Sequence, residues 1–287
     1  MKTLLLIPAL LFTYLYIGRA QSTVYEKSDS IRVVRLLSEA PALSETNGYM
    51  MYFGKKLKGT PYVAKTLETS QGENLMVNLH SLDCTTFTEN VLALSLCARH
   101  GEKTFSHFAE CLRLIRYAGG EISYENRLHY FTSWIDNNTV NGYVREDSGG
   151  AAPDGIYSGT QQLDINFMTE HTDLYPQLTD NPKATNRIRE IEKTLTGRTV
   201  KYIPKSKLKS YATLKRHIQS GDIIAIVTKK QGLDVSHIGI ASWHADGTLH
   251  LLNASQIHKK VINEPMTLYQ YMQKHPSQIG IRVIHVL

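Results

Sequence analysis

The chain changes from an extended pattern to a long helical one within the stretch Ser81-Leu82-Asp83-Cys84-Thr85-Thr86-Phe87. Apolar residues then follow around most of the helix circumference, so we expect a helix that begins at Cys84 and is buried centrally. The dipole and the unpaired N–H groups of a first helical turn favour an anion, and the thiolate is the nucleophilic form of cysteine. Cys84 is therefore a candidate nucleophile, although a cysteine considered alone is more often a small core residue.

Two later segments favour the catalytic interpretation. Val235-Ser236-His237-Ile238-Gly239-Ile240-Ala241 places His237 at the start of a predicted strand, and Leu251-Leu252-Asn253-Ala254-Ser255 places Asn253 on the next strand. In a Cys, His, Asn triad the histidine accepts the thiol proton and the amide fixes the imidazole tautomer. His250 is a rival for the third position. Strand alternation places it on the opposite face from Asn253, so only one of the two can contact His237.

Attack of a thiol on a carbonyl also requires donors for the oxyanion that forms. We expect the backbone N–H of Cys84 to be one donor. The hydroxyl of Tyr62, which follows the helix-breaking stretch Gly59-Thr60-Pro61, is the second candidate.

Candidate substrate-binding residues lie in Tyr124-Glu125-Asn126-Arg127-Leu128-His129-Tyr130-Phe131-Thr132-Ser133-Trp134-Ile135. Read as a helix, this segment places Arg127, Tyr130 and Trp134 on one stripe beside an apolar one. An arginine with two amphipathic aromatic residues suits a ligand that carries sugar and carboxylate groups, although the stripe could also be the edge of the core. With Tyr124, these residues are the predicted substrate contacts.

The remaining pattern predicts an α+β fold in which N-terminal helices pack on a mostly antiparallel C-terminal sheet. The nucleophile would lie on the helical layer and its base on the sheet. The first helix is expected to bury Ile31, Val34 and Leu37, and residues 137–181 to form a long functional loop. Further helices are predicted over 43–58, 104–117 and 184–196, and strands over 222–228, 237–243, 249–253, 259–262 and 280–286.

The N-terminus has the pattern of an export signal. Met1-Lys2 precedes an apolar run and then Gly18-Arg19-Ala20, which predicts a signal peptide over residues 1–20 and one domain over 21–287. The run is shorter than the roughly 20 residues of a membrane span. We therefore expect an exported, periplasmic protein without a stable membrane anchor.

The charge and the cysteine content of the chain limit the kinds of binding partner that we expect. The formal charge of +6 becomes +4 without Lys2 and Arg19, and no nucleic-acid motif accompanies the basic clusters, so no nucleic-acid partner is expected.

The odd count of three cysteines leaves at least one thiol unpaired. Cys97 and Cys111 could meet if their helices pack antiparallel, but both also fit ordinary apolar positions. The cysteine spacings match no zinc pattern, and we expect a monomer with no metal and no cofactor.

Several segments follow one another in an order that resembles a known family. They are Gly59-Thr60-Pro61-Tyr62-Val63-Ala64, Leu82-Asp83-Cys84-Thr85-Thr86-Phe87, Arg127-Leu128-His129-Tyr130, Ile165-Asn166-Phe167-Met168 and Gly232-Leu233-Asp234-Val235-Ser236-His237. From about Tyr49 onward the chain resembles the DUF1460 family, an N-acetylmuramoyl-L-alanine amidase-like branch of the NlpC/P60 superfamily of papain-like cysteine hydrolases. The resemblance implies a papain-like core.

The resemblance also implies a reaction. This is hydrolysis of the amide between the lactyl group of muramic acid and L-alanine, on peptidoglycan-derived muropeptides such as the anhydro-muropeptides of wall turnover. Compared with common NlpC/P60 members, the chain has Thr85-Thr86 in place of Ser-Gly, and Asn253 where histidine is frequent. These differences disfavour the alternative, a γ-D-glutamyl-diaminopimelate endopeptidase. A non-catalytic wall-binding protein is a third interpretation, which the presence of Cys84, His237 and Asn253 together disfavours.

Overall fold

The computed structural model describes residues 23–68, 72–150 and 154–287. The predicted signal peptide, residues 1–20, lies outside the described residues, and the domain boundary at residue 21 stays a prediction as well. Within the described residues, every helix is too short or too polar to cross a membrane.

Helices occupy most of the N-terminal half of the described chain. These are α1 (Lys27–Ser38), α2 (Thr46–Lys56), α3 (Cys84–Arg99), α4 (Phe105–Arg116) and α5 (Phe131–Val140), and the C-terminal half adds α6 (Phe167–Glu170), α7 (Pro182–Leu195), α8 (Tyr211–Leu214) and α9 (Leu268–Gln273). The strands are β1 (Thr23–Val24), β2 (Leu75–Met76), β3 (Val144–Asp147), β4 (Gly159–Gln162), β5 (Thr199–Pro204), β6 (Ile223–Thr228), β7 (Val235–Trp243), β8 (Leu249–Ser255), β9 (Lys260–Asn263) and β10 (Gln278–Val286).

The larger sheet has the strand order β4-β5-β10-β6-β7-β8-β9, and β3 also pairs with β10. Each of these pairings is antiparallel. β1 and β2 form a separate parallel pair. The predicted α+β class and mostly antiparallel sheet are confirmed, and the five predicted strands correspond to β6 through β10.

The sheet is covered on both faces, which explains why every residue of β6 is buried. Ile223 and Ala225 belong to the apolar core formed with α1 to α4. The alternate residues Ile224 and Ile226 belong to a second core that includes side chains of α9. Because side chains of a strand alternate between faces, a strand buried on both sides is apolar over most of its length, as β6 is from Ile223 to Val227.

The predicted buried face of α1 is correct at Leu37, which is buried, but wrong at Ile31 and Val34. Ile31 is 58% exposed and Val34 is 39% exposed, whereas Val33 and Leu36 are buried. The cause is Asp29, a polar residue on the buried face whose Oδ1 accepts a hydrogen bond from the N–H of Leu79 at 2.8 Å. Asp29 fixes which side of α1 faces the core. A helix face predicted from apolar residues alone leaves Asp29 out, because Asp29 is polar.

The predicted helix over residues 124–135 is also wrong, because α5 begins only at Phe131. The preceding residues pair with the end of α4 instead. The N–H of Leu128 donates to the carbonyl of Arg116 at 2.9 Å, and the N–H of Ala118 donates to the carbonyl of Asn126 at 2.8 Å. Arg127 and Trp134 therefore do not share a helical stripe.

The predicted long loop over residues 137–181 contains regular structure. β3 and β4 join the sheet, and α6 lies near the end of the segment. β5 was not predicted, because its sequence lies in a basic run that has the composition of a solvated surface.

Candidate active site

The start of α3 is fixed by hydrogen bonds between Asp83 and Thr86. Asp83 Oδ1 accepts from the N–H of Thr86 at 2.8 Å, and Thr86 Oγ1 accepts from the N–H of Asp83 at 2.9 Å. This reciprocal arrangement is a capping box, and it satisfies two backbone donors at the helix start. Cys84 is the first residue of the helix that follows. The local sequence therefore determines where the thiol lies.

His237 and Asn253 are in direct contact across β7 and β8. Nε2 of His237 lies 3.0 Å from Oδ1 of Asn253. An amide oxygen can only accept, so Nε2 carries the proton and Nδ1 is left free to accept one. The Nδ2 of Asn253 donates to the carbonyl of Leu251 at 3.3 Å, which fixes the orientation of the amide. The predicted contact of Asn253 with the imidazole is confirmed.

His250, the rival for this position, faces away from His237. Its Nδ1 lies 2.8 Å from the carbonyl oxygen of Glu264, and its ring stacks on that of His244 with centroids 3.6 Å apart. The strand register predicted from alternation is therefore correct.

Gly239 gives Asn253 the room that this contact needs. A Cβ atom built at Gly239 would lie 2.9 Å from the Cβ of Asn253 and 2.9 Å from Cδ1 of Leu251. These distances are shorter than real Cβ contacts, so a side chain here would displace Asn253 from beneath the His237 ring.

We therefore expect Gly239→Ala to lower kcat by about 10- to 100-fold, because the imidazole loses its fixed orientation. The KM should change little. Steady-state kinetics against the natural substrate measure both constants. Gly48→Ala in α2 is the matched control, since it makes the same chemical change away from the site. A Gly239→Ala protein with wild-type kcat would contradict the positioning role of Asn253.

Cys84 and His237 line the same cleft, which has a volume of about 120 Å³. The Cys84 thiol has a backbone hydrogen bond with Ile238, the residue after His237, so β7 contacts the thiol directly. Asp234, Ser236 and other residues complete the lining: Thr85, Leu128, His129, Tyr130, Phe131, Leu233, Val235 and Ile238. The fold thus brings the helix start and the strand start together, although 153 residues separate them in sequence.

The ionisation of this pair differs from the expectation based on the helix dipole. Burial, and then the charge of Asp83, raise the pKa of Cys84 to about 12. Burial also lowers the pKa of His237. Of the two possible arrangements, in which His237 takes the thiol proton during attack or already holds it, burial in the cleft favours the first, with a neutral thiol beside a neutral imidazole. Such a thiol needs a base at the moment it attacks.

Tyr62 lies close to this thiol. It forms a parallel bridge with Leu82, two residues before Cys84, and its N–H donates to the carbonyl of Lys259 at 2.9 Å. Burial, followed by the charges of Cys84 and Asp83, raises the pKa of Tyr62 to about 12. The phenol stays protonated at neutral pH and is able to donate a hydrogen bond.

Arg127 is occupied by other contacts of the protein. Its guanidinium forms an ion pair with Glu68, lies 3.6 Å from Glu73, and donates to the carbonyl of Leu67 at 2.9 Å. The side chain is only 5% exposed. These contacts neutralise the charge of Arg127. The side chain forms part of the wall of two cavities beside the cleft.

The three aromatic residues of the predicted binding group are buried. Trp134 is 1% exposed and stacks on Phe131 with centroids 4.9 Å apart, so its predicted ligand contact is wrong. The hydroxyl of Tyr130 donates to Glu192 Oε1 at 2.7 Å. Tyr124 is 5% exposed and packs beneath the guanidinium of Arg127. Only Tyr130 of these three lines the cleft.

His129 lines the cleft and was missed by the sequence analysis. Its Nε2 lies 2.7 Å from the carbonyl oxygen of Tyr124, so Nε2 carries the proton and Nδ1 is an acceptor. Burial and the charge of Arg127 lower the pKa of His129 to about 3, which keeps the ring neutral. The sequence places His129 between Arg127 and Tyr130, two predicted site residues, and this position was a signal for its location. The segment was interpreted as a helix, and on a helix His129 would point away from the stripe that contains Arg127 and Tyr130.

Two larger cavities flank the cleft. One of about 470 Å³ lies between α5 and α7, and one of about 330 Å³ lies beside Lys65 and Tyr175. Both share Leu128 and His129 with the cleft. A ligand longer than the cleft therefore has room to extend from it into either cavity.

Within residues 23–68, 72–150 and 154–287, no group of three or more histidine, cysteine, aspartate or glutamate side chains is arranged to hold a metal ion.

Comparison with known proteins gives a consistent result. The family model for N-acetylmuramoyl-L-alanine amidase-like proteins, AmiA-like, matches residues 52–281. An N-acetylmuramoyl-L-alanine amidase from Bacteroides uniformis superimposes with a TM-score of 0.78 at 39% identity, over 84% of this chain and 99% of that one. A Bacteroides fragilis protein described as a candidate xylanase gives 0.74 at 38% identity, over 81% and 98%. No curated protein matches the chain.

A more distant structure shares the fold alone. It is a Legionella pneumophila protein of the DUF1460 family model, with a TM-score of 0.68 at 22% identity over 91% of this chain and 95% of that one. The family model and the B. uniformis amidase both cover most of the present sequence. This chain therefore belongs to the N-acetylmuramoyl-L-alanine amidase-like family, whose members are peptidoglycan amidase-like hydrolases.

Proposed function

We propose that this protein is an exported, periplasmic cysteine amidase with a papain-like core of the NlpC/P60 type. Its substrate is the N-acetylmuramoyl-L-alanine bond of peptidoglycan fragments, with anhydro-muropeptides of wall turnover as the natural source. The observation that carries the proposal is the contact of His237 with Asn253, which leaves Nδ1 free as a base in the cleft that also contains the Cys84 thiol.

The reaction begins with attack of the Cys84 sulfur on the lactyl carbonyl while Nδ1 of His237 takes the thiol proton. The backbone N–H of Cys84 and the hydroxyl of Tyr62 stabilise the oxyanion. The imidazolium then protonates the nitrogen of L-alanine, the amide C–N bond breaks, and the stem peptide leaves. A muramoyl thioester remains on Cys84. Water, deprotonated by His237, attacks this thioester, the C–S bond breaks, muramic acid leaves with a free lactyl carboxyl group, and the proton on His237 passes to the Cys84 sulfur.

The two flanking cavities suit the two halves of such a substrate. The wall between α5 and α7 offers amide and hydroxyl groups, including Asn126, Ser133 and Asn137, which suit a disaccharide. The opposite cavity contains Lys65 and Glu68, whose charges suit the carboxylates and amine of a stem peptide. The scissile amide would then lie over Cys84.

Product analysis tests this function. The protein is incubated with a disaccharide-tetrapeptide and, separately, with the free tetrapeptide, and the products are identified by mass. We expect the first to give the intact tetrapeptide and the disaccharide, and the second to remain uncut. Cleavage of the free tetrapeptide after D-glutamate would favour the endopeptidase, and binding without cleavage by the folded protein would favour a wall-binding role.

A glycosidase activity, suggested by the description of the B. fragilis relative, has less support. Glycoside hydrolysis generally uses two carboxyl groups that flank the bond. In the described part of the chain, the cleft at Cys84 is lined by one carboxylate, Asp234. Its oxygens already accept from the N–H groups of Thr132 at 2.7 Å and Val235 at 2.8 Å.

The pH dependence follows from the neutral pair. The pKa of His237 is lowered from its ordinary value of 6.5, so the imidazole stays unprotonated at pH values somewhat below 6.5. Activity is lost only as the pH falls through the lowered pKa. The thiol, with a pKa of about 12, stays protonated at neutral pH. We therefore expect kcat/KM to reach its plateau below pH 6.5. A decline between about pH 8 and 9 would instead indicate a thiolate–imidazolium pair and contradict this assignment.

A further inference from the structure

Two further thiols are in contact between α3 and α4. The Sγ atoms of Cys97 and Cys111 lie 3.6 Å apart, and both residues are free thiols. The helices pack against each other and are joined by only the short segment of residues 100–104, so they form an antiparallel hairpin. The condition under which these two cysteines could meet, antiparallel packing of their helices, is fulfilled, and the sulfurs are in contact without being bonded.

We propose that Cys97 and Cys111 form a reversible disulfide that ties α3 to α4, with a disulfide-donating thiol oxidant as the co-reactant. A disulfide has an S–S distance of about 2.05 Å, so the two sulfurs must approach by about 1.6 Å. Rotation of the side chains and a small shift of the helices supply that movement. The proposal is independent of the reaction assigned to the cleft.

The environment of the pair determines the order of the steps. Cys111 is half-buried and accessible, whereas Cys97 is 1% exposed. The hydrogen bond that the Cys97 thiol donates lowers the pKa of Cys111 and raises that of Cys97. The outer residue is thus the first nucleophile, and the buried one completes the bond.

The thiol–disulfide exchange between the cysteine pair and the donor proceeds in two steps. The Cys111 thiolate attacks one sulfur of the donor disulfide, which forms a mixed disulfide and releases the first donor thiolate. Cys97 then gives up its proton, its sulfur attacks the sulfur of Cys111, and the second donor thiolate leaves. Two protein thiols lose two electrons, the donor disulfide gains them, and two protons pass to the donor.

Cys84 is kept out of this chemistry by distance. It lies on the same helix as Cys97 but thirteen residues earlier, and a helix rises 1.5 Å per residue, which separates the two by about 20 Å. The hairpin of α3 and α4 therefore places Cys111, and not Cys84, within reach of Cys97. Oxidation should stabilise the helix that carries Cys84 without consuming that thiol.

The test is oxidation of the purified full chain with glutathione disulfide, followed by alkylation and mapping with trypsin and chymotrypsin, because chymotryptic cleavage after Phe87 separates Cys84 from Cys97. Cleavage after Arg99 and Lys103 separates the two cysteines, so a bridge appears as a joined peptide that reduction splits. We expect this peptide, together with alkylation of Cys84 alone. The melting temperature should rise by about 5 °C or more relative to the reduced protein.

Two variants serve as controls. Cys111→Ser changes the more accessible residue, and Cys97→Ala changes the buried one, so a folding defect in the second leaves the first available. Both should lose the joined peptide and the rise in melting temperature. Oxidised wild-type protein in which Cys97 and Cys111 remain open to alkylation after unfolding, in which either is joined to Cys84, or in which the melting temperature is unchanged would overturn the proposal.

Discussion

Replacing Cys84 with serine should lower the turnover of a disaccharide-tetrapeptide by about 10⁴-fold or more, because the proposed nucleophile is replaced by a hydroxyl that is far less reactive. Serine has nearly the same size, so the capping box of Asp83 and Thr86 remains. The melting temperature should therefore change little. Single-turnover kinetics and a thermal melt of the same preparation measure the two effects separately.

The control for this variant is Cys111→Ser under reducing conditions, which removes a thiol away from the cleft and should retain wild-type turnover. Iodoacetamide provides an independent check on the wild-type protein. The loss of hydrolysis should follow the labelling of Cys84 and not that of Cys97 or Cys111. Full activity after Cys84 is blocked would exclude it as the nucleophile.

Replacing Trp134 with alanine should destabilise the protein by about 3–5 kcal/mol, because it removes a fully buried side chain from the core. The indole is 1% exposed and stacks on Phe131. Chemical denaturation gives the change in the free energy of unfolding. At a temperature well below the transition, kcat/KM for disaccharide-tetrapeptide should remain near the wild-type value.

The matched control is Trp243→Ala, since Trp243 is half-buried and should cost less stability. A Trp134→Ala protein that keeps its stability but loses activity selectively on the sugar-containing substrate would contradict burial of the indole. It would restore the ligand-binding role expected from the sequence pattern.

Features of the site that depend on local chemistry were predictable from the sequence. Asp83 and Thr86 are residues that cap helices, so the position of Cys84 at a helix start follows from a few neighbouring positions. The two-residue period of a strand showed that only one of His250 and Asn253 can contact His237, and the Cys, His, Asn order favoured Asn253. Both expectations agree with the structure.

Features that depend on distant residues were not predictable. The segment before Phe131 has a helical apolar period, but its backbone hydrogen bonds go to the end of α4. The partners that neutralise Arg127 are Glu68 and Glu73, about sixty residues earlier. No period within a short segment contains that information, and for this reason the shared helical stripe of Arg127, Tyr130 and Trp134 was wrong, although Arg127 and Tyr130 both line the cavity between α5 and α7.

The ionisation of Cys84 shows the same limit. A helix start lowers the pKa of a thiol, and that effect can be read from the local sequence. Burial acts in the opposite direction and depends on β7, which closes the cleft from far along the chain. Burial is the largest of the causes that raise the pKa of this thiol.

The most direct test of the central claim is the mass of the covalent intermediate on the protein. Disaccharide-tetrapeptide is mixed with the protein, quenched in acid within a turnover, and the modified peptide is mapped. The account predicts a thioester on Cys84 that carries the disaccharide and its lactyl group and no amino acid. An adduct on Cys84 that includes L-alanine and D-glutamate, or an adduct on another residue, would contradict it.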